Sequence, residues 1–104
     1  MLMKVSDLTG AALDYAVSLA EGCVYGLPGT IHAFSPSTKW SQGGPIIERE
    51  EISILRVYGR THKWEAECTI APAHRVKGKG LYPLTTAMRC YVASKLGNTV
   101  EIPD

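Results

Sequence analysis

Ile52-Ser-Ile-Leu-Arg-Val-Tyr-Gly-Arg-Thr-His-Lys-Trp-Glu-Ala-Glu-Cys-Thr-Ile70 is the stretch that decides the fold. Its second half alternates Trp64, Ala66, Cys68 and Ile70 with Lys63, Glu65, Glu67 and Thr69, the period of two that a half-buried strand requires. Its first half, Ile52 to Tyr58, is rich in β-branched and apolar residues, and Gly59-Arg-Thr-His62 between the halves supplies a turn. The stretch therefore predicts an antiparallel hairpin with one face toward a core.

Working outward, apolar residues on both sides switch to a period of three and four. Leu8, Ala12, Leu13, Ala16, Val17, Leu19 and Ala20 form one stripe, with Ser6 and Thr9 as candidate N-caps and Gly22 as the stop. Leu84, Ala87, Met88, Tyr91, Val92 and Leu96 form the other, opened by Pro83 and closed by Lys95 and Gly97. Cys23 to Tyr25 and Ile31 to Phe34 flank Gly26-Leu-Pro-Gly29 and read as a short interrupted strand. Pro72 to Gly80 reads as a polar loop, and Thr99 to Ile102 as a terminal strand or edge cover.

These elements predict an α+β two-layer sandwich. Two helices pack on one face of a three- to four-stranded antiparallel sheet, in the order α-β-β-β-α, as a single domain over residues 1–104. The expected core is Leu13, Val17, Leu55, Val57, Trp64, Ala66, Cys68, Met88, Tyr91 and Val92.

A formal charge of +1, with 45% apolar and 20% charged residues, gives no global pull toward nucleic acid or anionic lipid. A local basic cluster of His74, Arg75, Lys77 and Lys79 is the exception. No apolar run approaches the roughly 20 residues of a membrane span, and no signal-peptide pattern opens the chain, so a cytosolic protein is expected. Cys23, Cys68 and Cys90 are widely separated and lack CxxC or CxxH spacing, which predicts buried thiols and no metal or other cofactor.

The candidate site is Phe34-Ser-Pro-Ser-Thr-Lys-Trp-Ser-Gln-Gly-Gly-Pro-Ile-Ile-Glu-Arg-Glu50, which reads as a shaped polar loop. Trp40 can stack on a planar group, Ser35, Ser37, Thr38 and Gln42 can hydrogen-bond it, and Gly43 and Gly44 let backbone amides approach an anion. Arg49 or Arg89 would neutralise a phosphate, which together predicts a nucleotide-like ligand. A plainer reading has Trp40 plugging the core edge, Gly43-Gly44-Pro45 turning the chain and Ser37 capping a helical turn. Catalysis is not expected: His32, His62 and His74 stand in separate segments, no serine has a nucleophile-elbow setting, and Gly78-Lys-Gly80 is too short for a phosphate loop.

The segments Leu8 to Tyr15 with Ala20-Glu-Gly22, Phe34 to Thr38 with Trp40 to Glu50, and Ala87-Met-Arg89 with Tyr91 to Gly97 together resemble the NinX-like family of small phage and prophage proteins. The resemblance covers nearly the whole chain, although the residue before the tryptophan, commonly acidic in that family, is Lys39 here. It implies a phage accessory protein acting inside a bacterial host, and it transfers no catalytic residue. The alternative to a small ligand is a protein partner: the polar loop, or a strand edge near Val24 or Val100, would dock on a host factor or on a second copy of the chain. Double-stranded RNA binding is disfavoured, because Tyr82-Pro-Leu-Thr-Thr86 opens the second helix without a basic residue.

Overall fold

A computed structural model describes residues 1–22 and 34–103. In chain order the elements are β1 (Leu2–Lys4), a 3-10 turn (Val5–Asp7), α1 (Gly10–Ala20), α2 (Trp40–Glu50), β2 (Ser53–Arg56), β3 (Trp64–Ala71), β4 (His74–Gly80), α3 (Pro83–Leu96) and β5 (Thr99–Glu101). The expected strand between Cys23 and Phe34 falls on residues 23–33, outside the described ones, and so do Cys23, Val24 and His32.

The α+β expectation holds. β2, β3 and β4 form an antiparallel sheet, and β1 pairs with β5 in a separate antiparallel ribbon. The predicted hairpin is the β2–β3 pair, registered Ile54 to Ala66 and Leu55 to Glu65. That register corrects the expected core. It sets Leu55 on the face that carries Glu65 and Lys79, leaving it 63% exposed, while Val57 and Trp64 are only half-buried.

α3 lies across the inner face of the sheet, and α1 and α2 pack against α3. Leu13, Val17, Ala66, Cys68, Met88, Tyr91 and Val92 are buried as expected, joined by Val5, Leu8, Ile46, Leu84 and Cys90. The glycine stops also hold, since Gly22 and Gly97 both take positive φ.

Pro72 to Gly80 is not a loop. Most of it is β4, which returns from β3 through a tight turn with Ala73 at φ 63° and pairs along its length from His74 to Gly80. It escapes a reading by hydrophobic period because two of its inward positions are glycines. A Cβ on Gly78 would sit 2.7 Å from the Thr86 carbonyl oxygen and 2.9 Å from the Cys90 nitrogen, so α3 presses its backbone against the strand there.

Cys68 and Cys90 face each other across this contact as free thiols, Sγ to Sγ 3.6 Å. Burial, then the neighbouring Cys68, pushes the Cys90 thiol well up.

Candidate functional site

The segment expected to be a loop is largely helix α2, which corrects the first reading. Residues 35–39 make a turn in which the Ser35 carbonyl accepts the Thr38 and Lys39 amides, and the helix runs from Trp40 to Glu50 with Pro45 inside it. Gly43, Ile46, Ile47 and Glu50 share one helical face. Gly43 is buried so closely that a Cβ there would collide with the Pro36 carbonyl and stand 2.6 Å from Leu84 Cδ1. Gly44 has open space around it; preceding Pro45, it has no Cβ to clash with the proline ring in helical geometry.

Two anchors aim the start of α2. The Ser35 amide donates to Gln42 Oε1, and the Ser37 amide donates to Asp14 Oδ1 of α1 at 2.8 Å. Asp14 is pushed up by burial, and Ser37, through its side chain and its amide, offsets part of that rise. The Ser37 hydroxyl, 3% exposed, lies beside this carboxylate outside hydrogen-bond geometry and has no partner among the described residues.

Arg49 stands nine residues beyond Trp40, roughly 13 Å along the axis, at the other end of the helix. It bonds Glu21 at 2.8 Å and Glu50 at 2.9 Å, and Glu50 in turn pairs with Lys95 at 3.2 Å. Tyr91 Oη donates to Glu21 at 2.8 Å within the same network, and burial, then that bond, pushes its phenol up. Arg49 is thus a strut among the ends of α1, α2 and α3, not a partner of Trp40. Gln42 and Gly43 likewise serve local structure, and Ser35 and Gly44 do not line the cleft that Trp40 borders.

That cleft has two adjoining parts. The smaller, about 350 Å³, is lined by Ser37, Thr38, Trp40, Tyr82, Pro83, Leu84 and Thr85. Thr38, Tyr82 and Thr85 also border the larger, about 650 Å³, which extends past Thr9, Gly10, His62 and Lys79 to Arg89. Trp40 is 54% and Tyr82 69% exposed, so two aromatic surfaces stand open at its mouth. Trp40 is neither sealed in the core nor part of a bend.

The helices explain the cleft's electrostatics. α1, α2 and α3 all begin on its lining, at Gly10, Trp40 and Pro83. None of the three N-cap residues, Thr9, Lys39 or Tyr82, gives a side-chain hydrogen bond to its first turn, and none of the three first turns contains an acid. Each N-terminus carries about half a positive charge on amides the helix itself leaves unpaired.

Lys79 and Arg89 add full charges. Arg89 is fixed by bonds from Nε to the Leu8 carbonyl and from Nη1 to the Lys79 carbonyl, both 2.8 Å; burial lowers its pKa and nearby Asp7 opposes that. His62 Nε2 is held 2.7 Å from Glu65 Oε2. Of the residues singled out from sequence, Ser37, Thr38, Trp40 and Arg89 therefore meet at one cleft. Thr9, Gly10, His62, Lys79, Tyr82 and Thr85 line the cleft too and were not singled out from sequence; the readable clue is the absence of acids from the first turns of the two helices the sequence shows.

The sequence model of the family described as Bacteriophage P22, NinX matches residues 4–95. The chain belongs to this phage family. No curated protein matches it. The matched range holds every residue of the NinX-family chain that borders the cleft, and it supports a phage accessory protein.

Proposed function

We propose that this NinX-family protein works by binding and not by catalysis, in the cytosol of the bacterial host, and that its ligand is a planar, phosphate-bearing molecule of nucleotide type. The observation that carries the reading is the meeting of three uncapped, acid-free helix N-termini in one cleft, beside two exposed aromatic rings. Unpaired amides and partial positive charge favour an anion, with about 0.3–1 kcal/mol from each exposed helix end. Lys79 and Arg89 strengthen the preference on the same wall. Trp40 and Tyr82 offer stacking surface for a base, and the Ser37 hydroxyl, without a hydrogen-bond partner among the described residues, lines the same end. The combined space suits a ligand of mononucleotide size.

Amide chemical-shift mapping tests the reading. Adding a nucleoside triphosphate at low salt is expected to move the resonances of Gly10, Trp40 and Thr85 while leaving Glu21 and Arg49 in place. An unchanged spectrum, or changes confined to the Arg49 end, would refute it.

A further inference from the structure

A second groove, of about 430 Å³, adjoins the cleft through Ser6, Lys79 and Arg89. The edge of β4 away from β3, at Lys77, Gly78 and Lys79, forms one side; Lys4 to Ser6 with Asn98 and Thr99 form the other; Arg89 and Ala93 of α3 contribute the remainder. Four of these residues are cations, Lys4, Lys77, Lys79 and Arg89, and none is an acid. In a chain of formal charge +1, this is a concentration of positive charge that the composition does not suggest.

The strand edge adds backbone donors. Among the described residues, β4 pairs with β3 on one side only. The Gly80 carbonyl accepts the Lys63 amide on the β3 side, and the Lys79 carbonyl accepts Arg89 on the other. Because N–H and C=O of one residue point the same way and alternate along an antiparallel strand, the amides of Lys77 and Lys79 point away from β3, toward the groove. Ser6, Asn98 and Thr99 supply hydroxyl and amide groups opposite them. Nearby acids are Asp7, which faces Arg89, and Glu65 and Glu67, which lie across the β3–β4 register from Lys79 and Lys77 on the sheet's outer face; Glu67 is engaged by Arg75 at 3.0 Å.

We infer that this groove is an anion subsite for linked phosphates, continuing from the Trp40 cleft over Arg89. The inference deepens the proposed function, since the phosphates would belong to the ligand whose planar group meets Trp40. An array of donors on two walls, with one guanidinium held flat by two carbonyls, suits tetrahedral oxyanions in series. The linked phosphates could come from a nucleoside polyphosphate or from a single nucleic-acid strand, and the same chemistry would hold either.

Calorimetric titration with inorganic tripolyphosphate at low salt is the test, run on the wild-type chain, on the double variant Lys4→Glu/Lys77→Glu and on Trp40→Ala. Both reversed lysines are exposed, so the double variant should fold, which circular dichroism checks. The wild type and Trp40→Ala should bind tripolyphosphate alike, and the double variant about tenfold more weakly or worse. Parallel titrations with a nucleoside triphosphate and with oligothymidylate tell the two phosphate sources apart. Absence of tripolyphosphate binding, equal binding by the charge-reversed variant, or equal binding of an oligoglutamate peptide would overturn the subsite. Tripolyphosphate binding that survives while Trp40→Ala leaves nucleotide affinity unchanged would remove the stacking reading and keep the groove.

Discussion

Replacing Gly78 by alanine should loosen the contact that seats α3 on the sheet, and the size of the effect follows from the geometry. The new methyl would lie 2.7 Å from the Thr86 oxygen, 2.9 Å from the Cys90 nitrogen and 3.1 Å from Cys90 Cβ. Comfortable heavy-atom contact is about 3.5–4.0 Å, so strand and helix must separate by several tenths of an ångström. The first two obstructing atoms are backbone, and no rotamer change relieves them. Overpacking of this kind costs about 1–3 kcal/mol. Loss of glycine's freedom in the unfolded chain offsets about 0.4–1 kcal/mol of it. A net loss of about 1–2 kcal/mol remains, equivalent to a fall in Tm of about 5–15 °C for a chain of this size. Thermal unfolding followed by circular dichroism measures it, with Lys77→Ala on the same strand as a control expected within about 0.5 kcal/mol of wild type. An unchanged or higher Tm for Gly78→Ala would show that α3 does not bear on β4 at this point.

Asp14 offers a paired test: Asp14→Asn keeps an acceptor for the Ser37 amide while removing a half-buried charge, so chemical denaturation should find it as stable as wild type or more so. Asp14→Leu orphans that amide and should cost about 1–3 kcal/mol. Glu50, held below its ordinary 4.5 by Arg49 first and by Lys95, is a depressed carboxylate whose contribution is complete above pH 4.5 and lost as pH falls below it. Glu50→Gln should therefore flatten the acid limb of stability against pH without changing its slope above neutrality. Arg49→Met should lower stability by about 1 kcal/mol yet leave ligand affinity unchanged, because the Arg49 end of α2 stands apart from the cleft; a loss of affinity without loss of stability would return Arg49 to the site.

The parts of the fold legible in the sequence are those with a clean hydrophobic period. β3 alternates without a break, and α1 and α3 carry long apolar stripes with glycine stops, so the hairpin and both helices follow from residue order alone. Two elements hide for steric reasons. α2 is built around Gly43, Gly44 and Pro45, residues that disfavour helices in isolation, and it forms because Gly43 fits under Leu84 and Ile46 reaches the core. β4 presents glycines inward where a strand would ordinarily present valine or isoleucine, and its pattern therefore resembles a loop.

The candidate site was half legible for the same reason. Trp40, Ser37 and Thr38 stand out by residue type, and Arg89 by charge, but Thr9, Tyr82 and Lys79 join them only once three helix starts and a strand edge are brought together. Arg49 misled because nine residues of loop could fold it back toward Trp40, whereas nine residues of helix hold it away.

Trp40 itself provides the most direct measurement. In a Trp64→Phe variant its indole is the chain's single tryptophan, and titration with a nucleoside triphosphate at low salt can be followed by fluorescence alone. The account predicts saturable quenching that is weakened by added salt and by competing tripolyphosphate. Emission that stays flat across the titration, with the protein folded, would contradict it.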